Sequence, residues 1–328
     1  MRRREFLAVI GGAIVPPSIC PTEARAQQQS MPVIGFLHPG FPDLSAPSFD
    51  ALRKGLRDAG LGADETIKIE ARWARGKPET LAQMAQELVQ LRVAVLVATA
   101  RPSIEAARAA TNELPIVAND LESDPVASGY VKSLAHPGGN ITGAFLDAPS
   151  LCGKWLQQIL DIVPNAKKIA VLWDVTTGSY QFSAIKAAAE ARSIEIVVME
   201  FSDNSGLESA LDLGLKREPQ AAILLGSPLI RQGGLRIAEI LASRRIPGIS
   251  QFRTFPDGGG LMSYGPDLVH LYRSIGPYVA RILRGARPAD LPIHRPTKFE
   301  FVINLKAAKA LDLTVPPSLL TYVDEVIE

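Results

Sequence analysis

Cysteine is nearly absent from this chain: Cys20 and Cys152 are the only two in 328 residues. An excess of charge of either sign is missing as well, since 35 Lys and Arg face 34 Asp and Glu, and this excludes the basic surface that nucleic-acid binding requires. After the first two dozen residues no apolar run approaches the ~18 residues of a membrane span. The signatures of catalysis are also missing. There is no G-x-S-x-G elbow, no phosphate-binding G-x-x-x-x-G-K-[ST] loop, no G-x-G-x-x-G opening a helix, no H-E-x-x-H and no C-x-x-C. The histidines, His38, His136, His270 and His294, are scattered without ligand spacing, so neither a metal nor a cofactor is expected.

What is present begins with an export leader. Arg2, Arg3 and Arg4 precede the short apolar run from Phe6 to Val15, and Ala24-Arg25-Ala26 offers a small-x-small cleavage site, so cleavage after Ala26 and a periplasmic location are expected. Arg3-Arg4-Glu5-Phe6-Leu7 fits a twin-arginine signal, which points to the Tat route. Pro17-Ser18-Ile19 before Cys20 is a poor lipidation sequence. Removing the leader takes four of the 35 basic and two of the 34 acidic residues, leaving 31 against 32 and a mature net charge of −1. Only Cys152 survives cleavage, so no intrachain disulfide is available and stability must come from burial. About 300 residues, with 47% apolar composition in the whole chain, suffice for two lobes.

The hydrophobic period alternates between strand and helix, which predicts α/β architecture with parallel sheets covered on both faces. Strands are expected at 33–37, 66–73, 93–98 and 116–118, with helices at 48–59, 78–91 and 102–111. After the Pro- and Gly-rich stretch 136–140 and a strand at 141–146 the alternation resumes. Helices are expected at 151–163, 182–192, 206–216 and 235–244, and strands at 168–173, 195–201 and 221–225. A second irregular stretch, 256–260, precedes Leu261-Met262-Ser263-Tyr264. Two crossings that bracket one lobe make a hinge, and the carboxyl ends of both sets of strands then face a shared cleft.

Candidate ligand residues lie at those strand ends. Phe36 and His38 close the first strand. Thr99, Arg101 and Ser103 surround a helix start, where backbone N–H groups suit an anion and Arg101 can clamp it. Asp120 and Glu122 can take an amine. From the second lobe Trp173, Asp174, Thr176, Thr177, Ser179, Tyr180 and Ser227 follow strands, and Phe252 and Tyr264 lie near a crossing. A ligand with an anionic and a cationic group, most simply an amino acid or derivative, fits this set. Cys152, without a nearby His, is a quiet small side chain.

Several stretches carry a family resemblance: Val33-Ile34-Gly35-Phe36-Leu37, Asp124-Pro125-Val126, Leu134 to Gly143 (LAHPGGNITG), Ala170-Val171-Leu172-Trp173, Gly259 to Pro266 (GGLMSYGP) and Pro296 to Ala308 (PTKFEFVINLKAA). From about Met31 to Glu328 the chain resembles the ABC-transporter substrate-binding proteins of the tryptophan-binding type. The resemblance implies a type I periplasmic-binding-protein fold with three interlobe crossings, no catalysis, and delivery of a small solute by a monomer to a membrane permease. It places residues 31–145 and about 264–292 in lobe 1, including a helix at 267–283, and residues 146–263 and about 293–328 in lobe 2, the third crossing lying near Leu291 to Arg295. In much of that family a small or hydroxylated residue stands where this chain has Arg101. An exported ligand sensor, or an enzyme on the same fold using Asp120, Glu122 and Asp174, is the alternative.

Overall fold

The computed structural model describes residues 31–62 and 66–328. The expected leader, its cleavage site and Cys20 lie outside them. The first lobe opens with β1 (Val33–His38), α1 (Pro42–Asp58), β2 (Lys68–Trp73), α2 (Leu81–Gln90), β3 (Val95–Thr99), α3 (Ala100–Ala110), β4 (Ile116–Asp120) and β5 (Ile141–Phe145). Its parallel sheet runs β2-β1-β3-β4-β5. β3, β4 and β5 are buried at every position, as expected where helices cover both faces of a parallel sheet.

The second lobe follows as α4 (Ala148–Ile162), β6 (Lys168–Asp174), α5 (Tyr180–Glu190), β7 (Glu195–Phe201), α6 (Asn204–Leu215), β8 (Ala221–Leu224), α7 (Pro228–Ser243), β9 (Gly248–Ser250), α8 (Thr254–Asp257) and β10 (Met262–Pro266). After α9 (Leu268–Leu283) come β11 (Phe299–Asn304), α10 (Leu305–Ala310), α11 (Pro317–Leu320) and β12 (Glu325–Ile327). The sheet order is β12-β11-β10-β9-β8-β6-β7, with β10 and β11 antiparallel. Within it the order β7-β6-β8-β9-β10 repeats the plan of the first sheet.

α9 packs on α1 of the first lobe, and glycines let the two backbones touch. A Cβ on Gly55 would stand 2.1 Å from the Arg273 carbonyl oxygen, and one on Gly276 would stand 2.2 Å from the Gly55 carbonyl carbon. The chain therefore crosses between lobes at 146–147, at Asp267 and after His294. Two lobe limits differ from expectation. Tyr264 to Pro266 stays in the second sheet, Tyr264 opposite Phe301, because β10 continues until the Asp267 carboxylate accepts from His270 N and starts α9. His294 stays with the first lobe, bridging Ala144 beside β5.

Two helices start more than a turn earlier than the sequence suggests. α1 begins at Pro42 rather than 48, with Pro47 inside it, and α7 begins at Pro228 rather than 235. Glycine pairs commonly interrupt helices, and Gly233-Gly234 lies inside α7. Gly234 is instead a packing residue, since a Cβ there would stand 2.7 Å from Thr254 Oγ1 on α8.

Candidate functional site

The carboxyl ends of β1, β3 and β4 face the start of α7 and the segment after β9 across a cavity of about 550 Å³, its open mouth included. Lobe 1 contributes His38, Thr99, Asn119 and Glu122, and lobe 2 contributes Arg231, Gln232 and Phe252. Phe41, Leu44, Leu268 and Tyr272 supply apolar surface.

His38 ends β1 with its ring packed against Trp73 at 4.8 Å between centroids. Its Nδ1 accepts from Gly40 N at 2.8 Å, which leaves the hydrogen of the neutral ring on Nε2, 3.5 Å from Ser45 Oγ. Burial, aided by the Arg231 charge, lowers its pKa to about 3, so the ring is an uncharged donor at neutral pH.

The acidic loop after β4 folds on itself. Asp120 Oδ1 accepts from the backbone N–H groups of Glu122 (2.8 Å) and Ser123 (3.2 Å), an Asx-type turn. Glu122 Oε2 accepts from Arg101 N at 3.2 Å. The helix-start N–H expected to meet a ligand anion is thus taken by Glu122. Ala100, whose φ of 60° is unusual for a residue other than glycine, aims that N–H at the loop. Burial, then the neighbouring Asp120 carboxylate, raises the Glu122 pKa well above the usual carboxyl range. Asn119 is 4% exposed and lines the cavity, and its Oδ1 is buried with no partner among the described residues.

On the facing wall α7 is capped by Ser227, whose Oγ accepts from Leu229 N and Ile230 N and donates to Asp174 Oδ2 at 2.5 Å. The first turn then presents Arg231 and Gln232 to the cavity. Arg231 Nη2 donates to the Leu44 carbonyl of lobe 1 at 3.2 Å. No Asp or Glu among the described residues forms an ion pair with it, and burial pulls its pKa down. Sequence reasoning missed Arg231 because it started this helix at 235, leaving Arg231 outside it, whereas α7 begins at Pro228. The signal was Ser227-Pro228, a capping residue followed by proline at the first helical position.

Of the residues expected at the site, His38, Thr99, Glu122 and Phe252 line this cavity. Asp174 and Thr176 line a narrower pocket that shares Gly40, Pro228 and Gln232 with it. The others serve elsewhere. Phe36 is fully buried against Phe49 and Trp73. Ser103 and Asp120 are fully buried behind the wall. Arg101 pairs with Glu105 and lies over Gly178 of lobe 2, where a Cβ would stand 3.1 Å from its Cζ, so it is an interlobe contact. Trp173 stacks on Phe182 at 4.5 Å, because its Nε1 is tied to the Gly178 carbonyl at 3.0 Å. Thr177 donates to the Asp174 carbonyl, and Ser179 is exposed. Tyr180 stands near Asp124 and Asp147, and burial foremost pushes its pKa up to about 12. Tyr264 faces the hinge side, its hydroxyl accepting from Lys154 Nζ at 2.7 Å, because it falls on the β10 position opposite Phe301.

The model of a family described as ABC transporter substrate binding protein matches residues 43–327. A protein named Tyrosine-binding protein from Clostridioides difficile (strain R20291) is 28% identical over 273 residues, 81% of this chain and 78% of its own length. An ABC domain from Streptococcus pneumoniae, solved in complex with L-Trp, is similar at 26% identity with a TM-score of 0.84, over 91% of this chain and all of that one. A ligand-free, open substrate-binding protein with adhesive properties from Clostridium difficile superposes with a TM-score of 0.65 at 22% identity, covering 90% and 99%.

Proposed function

The chain belongs to the ABC transporter substrate binding protein family, whose members bind small solutes and deliver them to a permease, and on that footing we propose that its solute is a zwitterionic amino acid with an apolar or aromatic side chain. The observation that carries this reading is a guanidinium and a carboxyl on facing walls, the carboxyl held protonated by burial and Asp120 until a cation meets it. Arg231 on lobe 2 and Glu122 on lobe 1 both line the cavity, and neither has an ion-pair partner among the described residues. A desolvated charge needs a counter-charge. The ligand carboxylate meets the Arg231 guanidinium, and its ammonium meets Glu122 and the unpartnered Oδ1 of Asn119. Phe41, Phe252 and Tyr272 enclose the side chain. The Tyr- and Trp-binding relatives support the same class.

The same reading makes the mature protein a monomer that starts after Ala26, is exported by the Tat route to the periplasm, and performs no chemistry. Asp174, an acid in the enzyme alternative, has its carboxylate occupied by Thr176 and Ser227, which supports binding over catalysis. No helix among the described residues is long and apolar enough to cross a membrane.

A thermal-shift panel of amino acids on the mature protein tests the solute, since a ligand at 100 times its Kd stabilises by about 2.7 kcal/mol. Calorimetry on Arg231→Ala is expected to lose about 2–5 kcal/mol of binding, the usual cost of removing one partner of a buried charge pair. Arg101→Ala touches no ligand and acts only through lobe contact. A panel without any amino-acid shift, or an unchanged Kd in Arg231→Ala, overturns the reading.

A further inference from the structure

Once Glu122, Asn119 and Arg231 are assigned to the two charged ends of the ligand, one buried polar group in the cavity is left without a role. Gln232 Oε1 is buried and has no hydrogen-bond partner among the described residues. Gln232 lines both the main cavity and the narrower pocket that continues from it. The walls of that pocket are otherwise apolar or already bonded: Pro39, Pro78, Pro102 and Leu229 offer no side-chain donor or acceptor. Thr176 Oγ1 donates to Asp174 Oδ1 at 2.7 Å, and Asp174 Oδ2 accepts from Ser227 Oγ.

We propose that Gln232 is a specificity-determining residue, and that it reads a hydrogen-bonding group at the far end of the ligand's side chain, such as a phenol hydroxyl or an indole N–H. The inference rests on the amino-acid reading above. Its physical ground is the asymmetry of buried polar groups. A ligand with a purely hydrocarbon side chain strips water from the Gln232 amide and returns nothing, whereas one with a polar end satisfies it. As placed, the buried Oε1 accepts from a phenol O–H or an indole N–H; with the amide turned over, the buried NH2 is met by the phenol oxygen and not by the indole N–H.

Matched ligand pairs test this: tyrosine against phenylalanine, and tryptophan against 1-methyltryptophan, titrated calorimetrically into the native protein and into Gln232→Met. In the native protein the member with the polar group binds about 10- to 100-fold more tightly, the range expected for one unsatisfied buried group. In Gln232→Met, which keeps the length and removes the amide, that ratio falls towards one while the hydrocarbon ligand binds at least as well as before. Gln232→Leu serves as the second variant if the first does not fold. Phenylalanine binding as tightly as tyrosine with tryptophan equal to its methyl derivative, or a preference that survives both variants, overturns the role of Gln232 and leaves the amino-acid reading standing. Failure of all four ligands to bind overturns both.

Discussion

Two titratable side chains on the cavity wall respond to pH in opposite senses. His38 takes up a proton near 6.5 in the unfolded chain but only at about 3 in the folded one, so its contribution to stability is full above 6.5 and is lost as pH falls from there towards 3. Glu122 holds its proton more tightly when folded. Its contribution is full below the ordinary 4.5 and is lost as pH rises through the raised value. Glu122→Gln removes that loss, and thermal unfolding from pH 4 to 8 is expected to show the variant melting above the parent at pH 8 when both are unliganded. The same variant gives no amino-acid shift. In the parent a bound ammonium favours the carboxylate, so binding releases a proton, and the calorimetric heat at pH 7 should change with the ionisation enthalpy of the buffer. A buffer-independent heat would remove Glu122 from the ammonium site.

At the scale of elements, the start of α3 and the turn after β6 meet across the cleft. Gly178 has φ of 78°, and the Arg101 guanidinium lies where its Cβ would be. Gly178→Ala therefore adds backbone strain and pushes the lobes apart, and it is expected to weaken ligand binding by about 1–3 kcal/mol through faster dissociation. A cycle with Arg101→Ala separates the causes. Relief of the defect in the double variant marks the interlobe contact, and an additive loss marks strain alone.

For the whole molecule, ligand binding is expected to close the lobes by rotation about the three crossings. Two of them are tied together on the hinge side: Arg295 Nη1 donates to the Phe145 carbonyl at 3.0 Å and to the Leu146 carbonyl, joining the third crossing to the first. Contacts such as Arg231 to Leu44 and Arg101 to Gly178 draw the lobes together on the cleft side. Ligand should reduce the radius of gyration in small-angle scattering, and an unchanged radius at saturation would argue for a rigid cleft. Mass spectrometry of the exported protein is expected to find Gln27 at its start, and a lipid-modified Cys20 would refute this.

The α/β alternation, the two sheets and the strand ends that bear His38, Thr99 and Glu122 were legible in the sequence, because parallel strands and amphipathic helices are specified by local hydrophobic period. Binding position was less legible, since a residue two places past a strand end can face the cleft, the core or the other lobe. Arg101 and Arg231 both sit in the first turn of a helix after a strand, and both are charged. The sequence pointed to Arg101, at an expected helix start, and passed over Arg231, which lies before the expected helix at 235–244. Their roles are separated by long-range packing: the Arg101 N–H meets Glu122, whereas α7 packs on Thr254 of α8 at Gly234 and Arg231 reaches Leu44 of the other lobe. Neither contact is encoded within a window of neighbouring residues. Local period determined the elements, and only the docking of one lobe on the other decided which charge meets the cavity.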